Sequence, residues 1–106
     1  MVYVRTYAGQ PAEGFIYVME CAGYYKIGWS ANSPHRRQRS LQIGNPLPVT
    51  LVGAIEGSQM NEADWHEAFR DKRVRGEWFA LTEEDVAHVL HESIGIDKLP
   101  GEFDTA

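Results

Sequence analysis

A single cysteine, Cys21, stands in this chain of 106 residues, so no internal disulfide can form, and four scattered histidines match no zinc-ligand spacing. Neither GxxxxGK nor GxGxxG occurs, which removes the glycine-rich loops that cradle nucleotide phosphates. No spacing singles out a Ser-His-Asp set. No apolar run is long enough to cross a bilayer, and no charged-then-apolar leader is seen, so the reading is a cytoplasmic protein of a reducing compartment that makes no membrane contact. Internal repeats and low-complexity tracts are lacking too. Net positive charge is also missing: the formal charge is -5. A phosphate-binding protein ordinarily carries a basic footprint, so at first sight this disfavours nucleic acid.

The distribution of charge points the other way. From Lys26 to Arg75 there are eight basic residues against five acidic ones, whereas Glu83 to Ala106 holds seven acidic residues and only Lys98. The acidity belongs to the C-terminal end, and the middle is free to present a positive surface. With 43% apolar residues and this length, the chain is expected to form one domain with a core of its own.

The organising stretch is Gly14 to Trp29, two runs of aromatic and branched residues around a break at Gly23. It reads as a β-hairpin with a three- or four-residue loop. Alternation places Phe15, Tyr17 and Met19 on one face and Ile16, Val18 and Glu20 on the other. In the second run Tyr25, Ile27 and Trp29 share a face, opposite Tyr24, Lys26 and Gly28. Residues 1–13 read as a lead-in or edge strand ahead of a single domain over 14–95.

Ser33 and Pro34 form a helix start, as N-cap and first helical residue, and Gly44 stops that helix after about Gln42. Its apolar anchors are Leu41 and Ile43. Leu41 lies one turn after Arg37, which places Arg37 at the edge of the sheet, with Arg36 and Arg39 further out. Three arginines here make either a hydrated face or a phosphate-binding one. Val49 to Ile55 is apolar enough for a third, central strand. A second helix, starting near Ser58 or Asn61 and reaching about Lys72, buries Ala63, Trp65 and Phe69. His66 sits beside that stripe, as a core histidine or as a functional one. Arg70, Lys72, Arg73 and Arg75 lead into Gly76-Glu77-Trp78-Phe79, where Glu77 suits a metal-binding acid and a structural ion pair equally well. A last helix is capped by Thr82, with Glu83, Glu84 and Asp85 in its first turn. It buries Val86, Val89, Leu90 and Ile94 and ends at Gly95, with His88 and His91 outward. Residues 96–106 read as an acidic, loosely held tail.

What remains for chemistry is Tyr17, Tyr25, Lys26, Arg37, His66 and Glu77. This set, from about Gly14 to Leu81, resembles the GIY-YIG nuclease superfamily: Phe15-Ile16-Tyr17 stands at the first signature and Lys26-Ile27-Gly28 at the second. The closer likeness is to the branch named after an open reading frame of phage T-five. It is carried by Lys26 to Gly28, Arg37 to Leu41, Asn45-Pro46, Trp65-His66 and Gly76 to Phe79 in order. Phe15 replaces a glycine and Lys26 a tyrosine of the wider pattern, His66 stands where a metal-binding glutamate is usual, and the terminal asparagine of many members has no counterpart.

The resemblance implies an α/β (α+β) fold with a small three-stranded antiparallel sheet flanked by about three helices. It implies cleavage or nicking of DNA phosphodiester bonds with magnesium or manganese. Tyr17 would stand at the attacking water, Tyr25 or Lys26 would take the second signature's place, and Arg37 would clamp the phosphate. Glu77, or His66 beside it, would be metal-proximal, with Glu67 adjacent. Arg36, Arg39, Arg70, Lys72, Arg73 and Arg75 would hold the DNA backbone. A homodimer or a partner protein would supply specificity. Two other readings stand beside hydrolysis: a DNA-binding module that has lost turnover, and a protein-interaction domain using Trp29, Trp78 and the aromatic hairpin.

Overall fold

The structure is a computed structural model in which residues 13–100 are described; the lead-in expected before them and the end of the tail lie outside these residues. Two aromatic-rich runs form β1 (Gly14–Cys21) and β2 (Tyr24–Ser30), paired antiparallel with Cys21 opposite Tyr24. The loop is therefore two residues, shorter than expected. Ala22 (φ 53°) and Gly23 (φ 87°) both take positive φ, the backbone that matches the strand twist in the tightest hairpins. Glu20 Oε2 accepts from Gly23 N–H at 3.1 Å and steadies the turn.

Ser33 caps α1 (Pro34–Gln42) by accepting from Arg36 N–H, and Pro34 opens the helix. The anchor expected at Ile43 fails: the helix ends at Gln42, Ile43 turns into extended backbone, and its side chain is 83% exposed. Two glutamines replace it. Gln38 Nε2 donates to Val49 C=O at 2.7 Å, while Gln42 Oε1 accepts from Val49 N–H at 2.8 Å and its amide donates to Leu47 C=O at 3.0 Å. These bonds hold α1 against the start of β3 (Thr50–Gly57).

α2 (Gln59–Ala68) starts from a capping box at Ser58 and Asn61 and gives way to a tight turn at Arg70–Lys72. It buries Trp65 and then Phe69, stacked with ring centroids 5.6 Å apart, but leaves Ala63 exposed. β4 (Arg73–Arg75) and β5 (Trp78–Phe79) are joined through Gly76, whose φ is 55°.

The sheet has five antiparallel strands in the order β3-β1-β2-β5-β4, against the three expected. Strands of three and two residues are too short to show alternation, so β4 and β5 leave no sequence signal. β3 is an edge strand and not a central one. Its apolarity is explained by cover: Leu90 lies against Gly53, and the Ile94 N–H bonds Ala54 C=O across the edge.

Thr82 caps α3 (Glu83–Val89), which stops six residues short of Gly95. One side of the sheet carries Ile16, Val18 and Ile27 against Trp65, Phe69, Phe79, Val86 and Val89; the other carries Tyr17 and Met19 against Val49, Ala54 and Leu99. Burying one such side chain contributes roughly 1.5–3 kcal/mol. Residues 96–100, expected to be loosely held, are fixed. Leu99 is 4% exposed, His35 Nε2 donates to Ile96 C=O, and Ser33 Oγ donates to Pro100 C=O. His91 is exposed as expected, but His88 is half-buried, with its Nδ1 unpartnered.

Candidate metal and phosphate site

The site forms where β5 ends early. β5 pairs with β2 only at Tyr25 and Lys26, so the next outward-facing peptide group of β2, that of Ile27, needs other partners. Its N–H donates to Glu77 C=O at 3.2 Å and its C=O accepts from His66 Nε2 at 2.8 Å. The backbone need of one strand thus brings α2 and the β4–β5 loop together.

His66 is fixed in tautomer by chemistry alone. A carbonyl only accepts, so Nε2 carries the proton; Arg73 only donates and lies 3.4 Å from Nδ1, which therefore offers a lone pair. The ring also packs edge-on against Phe79. The expectation of a satisfied histidine is met: Nε2 is bonded to a backbone carbonyl and Nδ1 faces the Arg73 guanidinium.

One ligand atom each from Glu62, His66 and Glu77 lies within 4.8 Å of the others. Glu62 is absent from the residues that the sequence singles out. Its signal is nonetheless present, since Glu62 and His66 stand at i and i+4 on one face of a helix. Glu67 points elsewhere: it is exposed and pairs with Arg70 at 2.8 Å. Burial pushes the Glu62 carboxyl above its ordinary value, and the negative charge of Glu77 adds to this, against the opposing pull of His66, Lys26 and Arg37. Glu77 in turn forms an ion pair with Lys26, whose side chain is 12% exposed.

Tyr17 of β1 is buried, with 2% of its surface exposed. Its in-register partner is Gly28, and a Cβ at Gly28 would stand 2.3 Å from the tyrosine ring and hydroxyl, so only glycine admits this close approach. Burial pushes the Tyr17 hydroxyl up to about 12; Arg37 pulls the other way, and Glu77 and Glu62 reinforce the rise. Tyr17 is therefore a neutral phenol at physiological pH. These couplings place Tyr17, Arg37, Glu62 and Glu77 in one electrostatic neighbourhood. Arg37 and Arg36 line a polar recess of about 240 Å³ with Ser30, Asn32, Ser33 and Ser40.

The other expected residues divide. Tyr25 is on the opposite face of β2 from Lys26, packed against the Ile16–Val18 cluster. Lys72 is held by Asp85 and lies over the Phe69 ring at 5.9 Å. Arg70 has its exposed pair with Glu67, a contact that water screens. Arg73 covers the Phe79 ring at 5.5 Å. Arg39 lines a surface recess with Arg36, Ser40 and Ile43, and Arg75 lines a separate groove beside the β1–β2 turn.

A five-stranded antiparallel sheet with helices on both faces, and a carboxylate–imidazole cluster beside it, defines a small α+β domain. The T5orf172 domain matches residues 14–93, and the chain belongs to that family of phage-related, nuclease-like domains. No curated protein and no solved structure matches the chain. Among the described residues no helix is long and apolar enough to cross a membrane.

Proposed function

We propose that this domain is a metal-dependent endonuclease that cleaves or nicks DNA phosphodiester bonds with GIY-YIG-type chemistry. The observation that carries the reading is the convergence of Glu62, His66 and Glu77 within 4.8 Å beside Tyr17 and Arg37. The donor set fits a divalent cation. Two carboxylates crowd each other in partly buried surroundings, and the imidazole has a lone pair on Nδ1, which a cation would take over from the long Arg73 contact. Glu62, His66 and Glu77 would hold magnesium or manganese, which when bound would polarise the phosphate and stabilise the leaving oxygen.

The chain's own groups divide the remaining work. Tyr17, kept neutral, donates a hydrogen bond and orients the attacking water; it is not itself a phenolate base. Arg37 holds phosphate oxygens with its planar fork. Lys26 supplies a second cation, paired with Glu77.

A specific observation favours a second reading, a DNA-binding module without turnover: Lys26 already occupies Glu77. Supercoiled plasmid incubated with the protein and manganese or magnesium separates the two. Hydrolysis gives nicked circles, and Tyr17→Phe, Arg37→Ala and Glu77→Ala each lower the rate by about 10²–10³. Plasmid that is retained but stays supercoiled selects the binding module.

A further inference from the structure

Beyond Lys26, the sheet edge continues into a feature that the cleavage chemistry does not use. A groove of about 440 Å³ is lined by Cys21, Ala22, Tyr24, Asn45, Val74, Arg75 and Trp78. Its walls come from the β1–β2 turn, the β4–β5 hairpin and Asn45 of the connection between α1 and β3, and it is open to solvent. Tyr24 is 46% exposed and Val74 is 55% exposed. What sets these two apart from other exposed apolar side chains is that they line one groove together with Trp78 and the Arg75 guanidinium.

Trp78 joins this groove to the site. Lys26 Nζ lies 6.0 Å from the centre of the Trp78 ring, and the same ammonium pairs with Glu77. A strand whose phosphate reaches Lys26 and Arg37 would therefore have its next nucleotide beside Trp78. The groove offers what an unpaired nucleotide needs and a base-paired one cannot use: aromatic rings for a base and the Arg75 guanidinium for the following phosphate. Charge argues the same way. Arg75 has no acidic partner among the described residues, and the one acid nearest on the chain, Glu77, is neutralised by Lys26.

We infer that the Tyr24–Trp78–Arg75 groove binds an unpaired DNA nucleotide next to the phosphate held at the site, so that the preferred substrate is duplex DNA with a single-stranded flank. This rests on the nucleic-acid reading above and adds the form of the substrate. A base is held by its flat face whatever its identity, so the preference is for structure and not for sequence.

Fluorescence anisotropy in EDTA measures binding without cleavage, with one DNA sequence presented as a blunt duplex, as a duplex with a single-stranded flank and as a lone strand. The flanked duplex is expected to bind on the order of 10-fold tighter than the blunt one. Tyr24→Ala should abolish that difference, Tyr24→Phe should keep it, and thermal melting should show all three proteins equally folded. Arg75→Ala should weaken the flanked duplex and reduce the salt dependence of its binding by about one charge. Quenching of tryptophan emission by the flank, lost in Trp78→Phe, gives an independent readout.

Equal affinity for blunt and flanked duplex, with Tyr24→Ala unchanged, overturns the groove assignment while leaving plasmid nicking intact. Preference for an RNA strand of the same sequence, or retention of a protein instead, overturns it as well. A flank preference without nicking supports the groove and removes only turnover. Indifference to every nucleic acid removes both.

Discussion

The ring of Tyr17 lies against Gly28 in the neighbouring strand, so close that one added carbon on the glycine would stand 2.3 Å from the phenol oxygen. The consequence is that Gly28→Ala acts on Tyr17. The ring is buried among Met19 and its neighbours and has little room to retreat, so the variant should lose about 1–3 kcal/mol of stability from overpacking. Nicking should fall more than folding does, because the hydroxyl that the proposed mechanism uses is displaced. Denaturant melts and plasmid assays on the same preparation measure the two effects, and Gly53→Ala, where the nearest contact is the flexible end of Leu90, serves as the comparison.

Tyr17 also carries a titration signature. Its hydroxyl is raised from 10.0 to about 12, first by burial. The folded state therefore keeps this proton where the unfolded chain has lost it, and the stability linked to Tyr17 is fully present below pH 10 and is lost as pH rises toward 12. Ultraviolet difference titration should show one late-ionising tyrosine, and Tyr17→Phe should remove it. The same variant should unfold less steeply between pH 10 and 12. A phenol titrating with the exposed tyrosines would contradict the proposed neutral role.

Much of this is legible in the sequence, and what is not has physical reasons. The hairpin faces follow from strict alternation in Phe15 to Glu20, and the helix starts follow from Ser33, Ser58 and Thr82, whose oxygens all take up backbone N–H groups at the caps. Arg37, His66 and Glu77 stand out by motif order. Glu62 does not, because the acid adjacent to His66 in the chain is Glu67, whereas a helix brings together residues one turn apart. The short strands β4 and β5 depend on pairing with β2 and have no pattern of their own. Ile43 misleads because an apolar residue at a helix end suggests packing, while the glutamines that fasten α1 carry no apolar signal.

Asp85 joins the α3 cap to the tight turn after α2. Burial alone would raise its carboxyl, but the bond from Lys72 Nζ, the Thr82 backbone N–H and the Thr82 side chain outweigh it and hold the group below its ordinary value of 3.8. Stability from Asp85 is thus present above that value and is lost as pH falls through the depressed one. Asp85→Asn should reduce stability by about 1–2 kcal/mol at neutral pH. It should also flatten the acid limb of the unfolding curve below about pH 4. Lys72→Ala should reproduce part of the loss, and the double variant should show less than additive effects. Because Lys72 is spent on this contact, its removal should change DNA affinity less than removal of Arg37.

Glu62 and Glu67 sit five residues apart on the same helical segment, and they make the sharpest comparison for the cation site. Glu62 belongs to the cluster with His66 and Glu77, whereas Glu67 faces water and pairs with Arg70. Manganese titration calorimetry should therefore find that Glu62→Gln weakens binding by about 10–100-fold, at least the loss caused elsewhere by removing a partner one shell further from a metal. Glu67→Gln should bind as the unaltered protein does. Manganese should bind tighter than magnesium, because an imidazole among the donors favours the transition metal and magnesium prefers oxygen and retained water. His66→Gln should narrow that difference while leaving Nε2-type bonding to Ile27 replaceable by the amide. Equal losses in Glu62→Gln and Glu67→Gln would mean that the cation responds to the general charge of α2 and is not held by the clustered side chains of Glu62, His66 and Glu77.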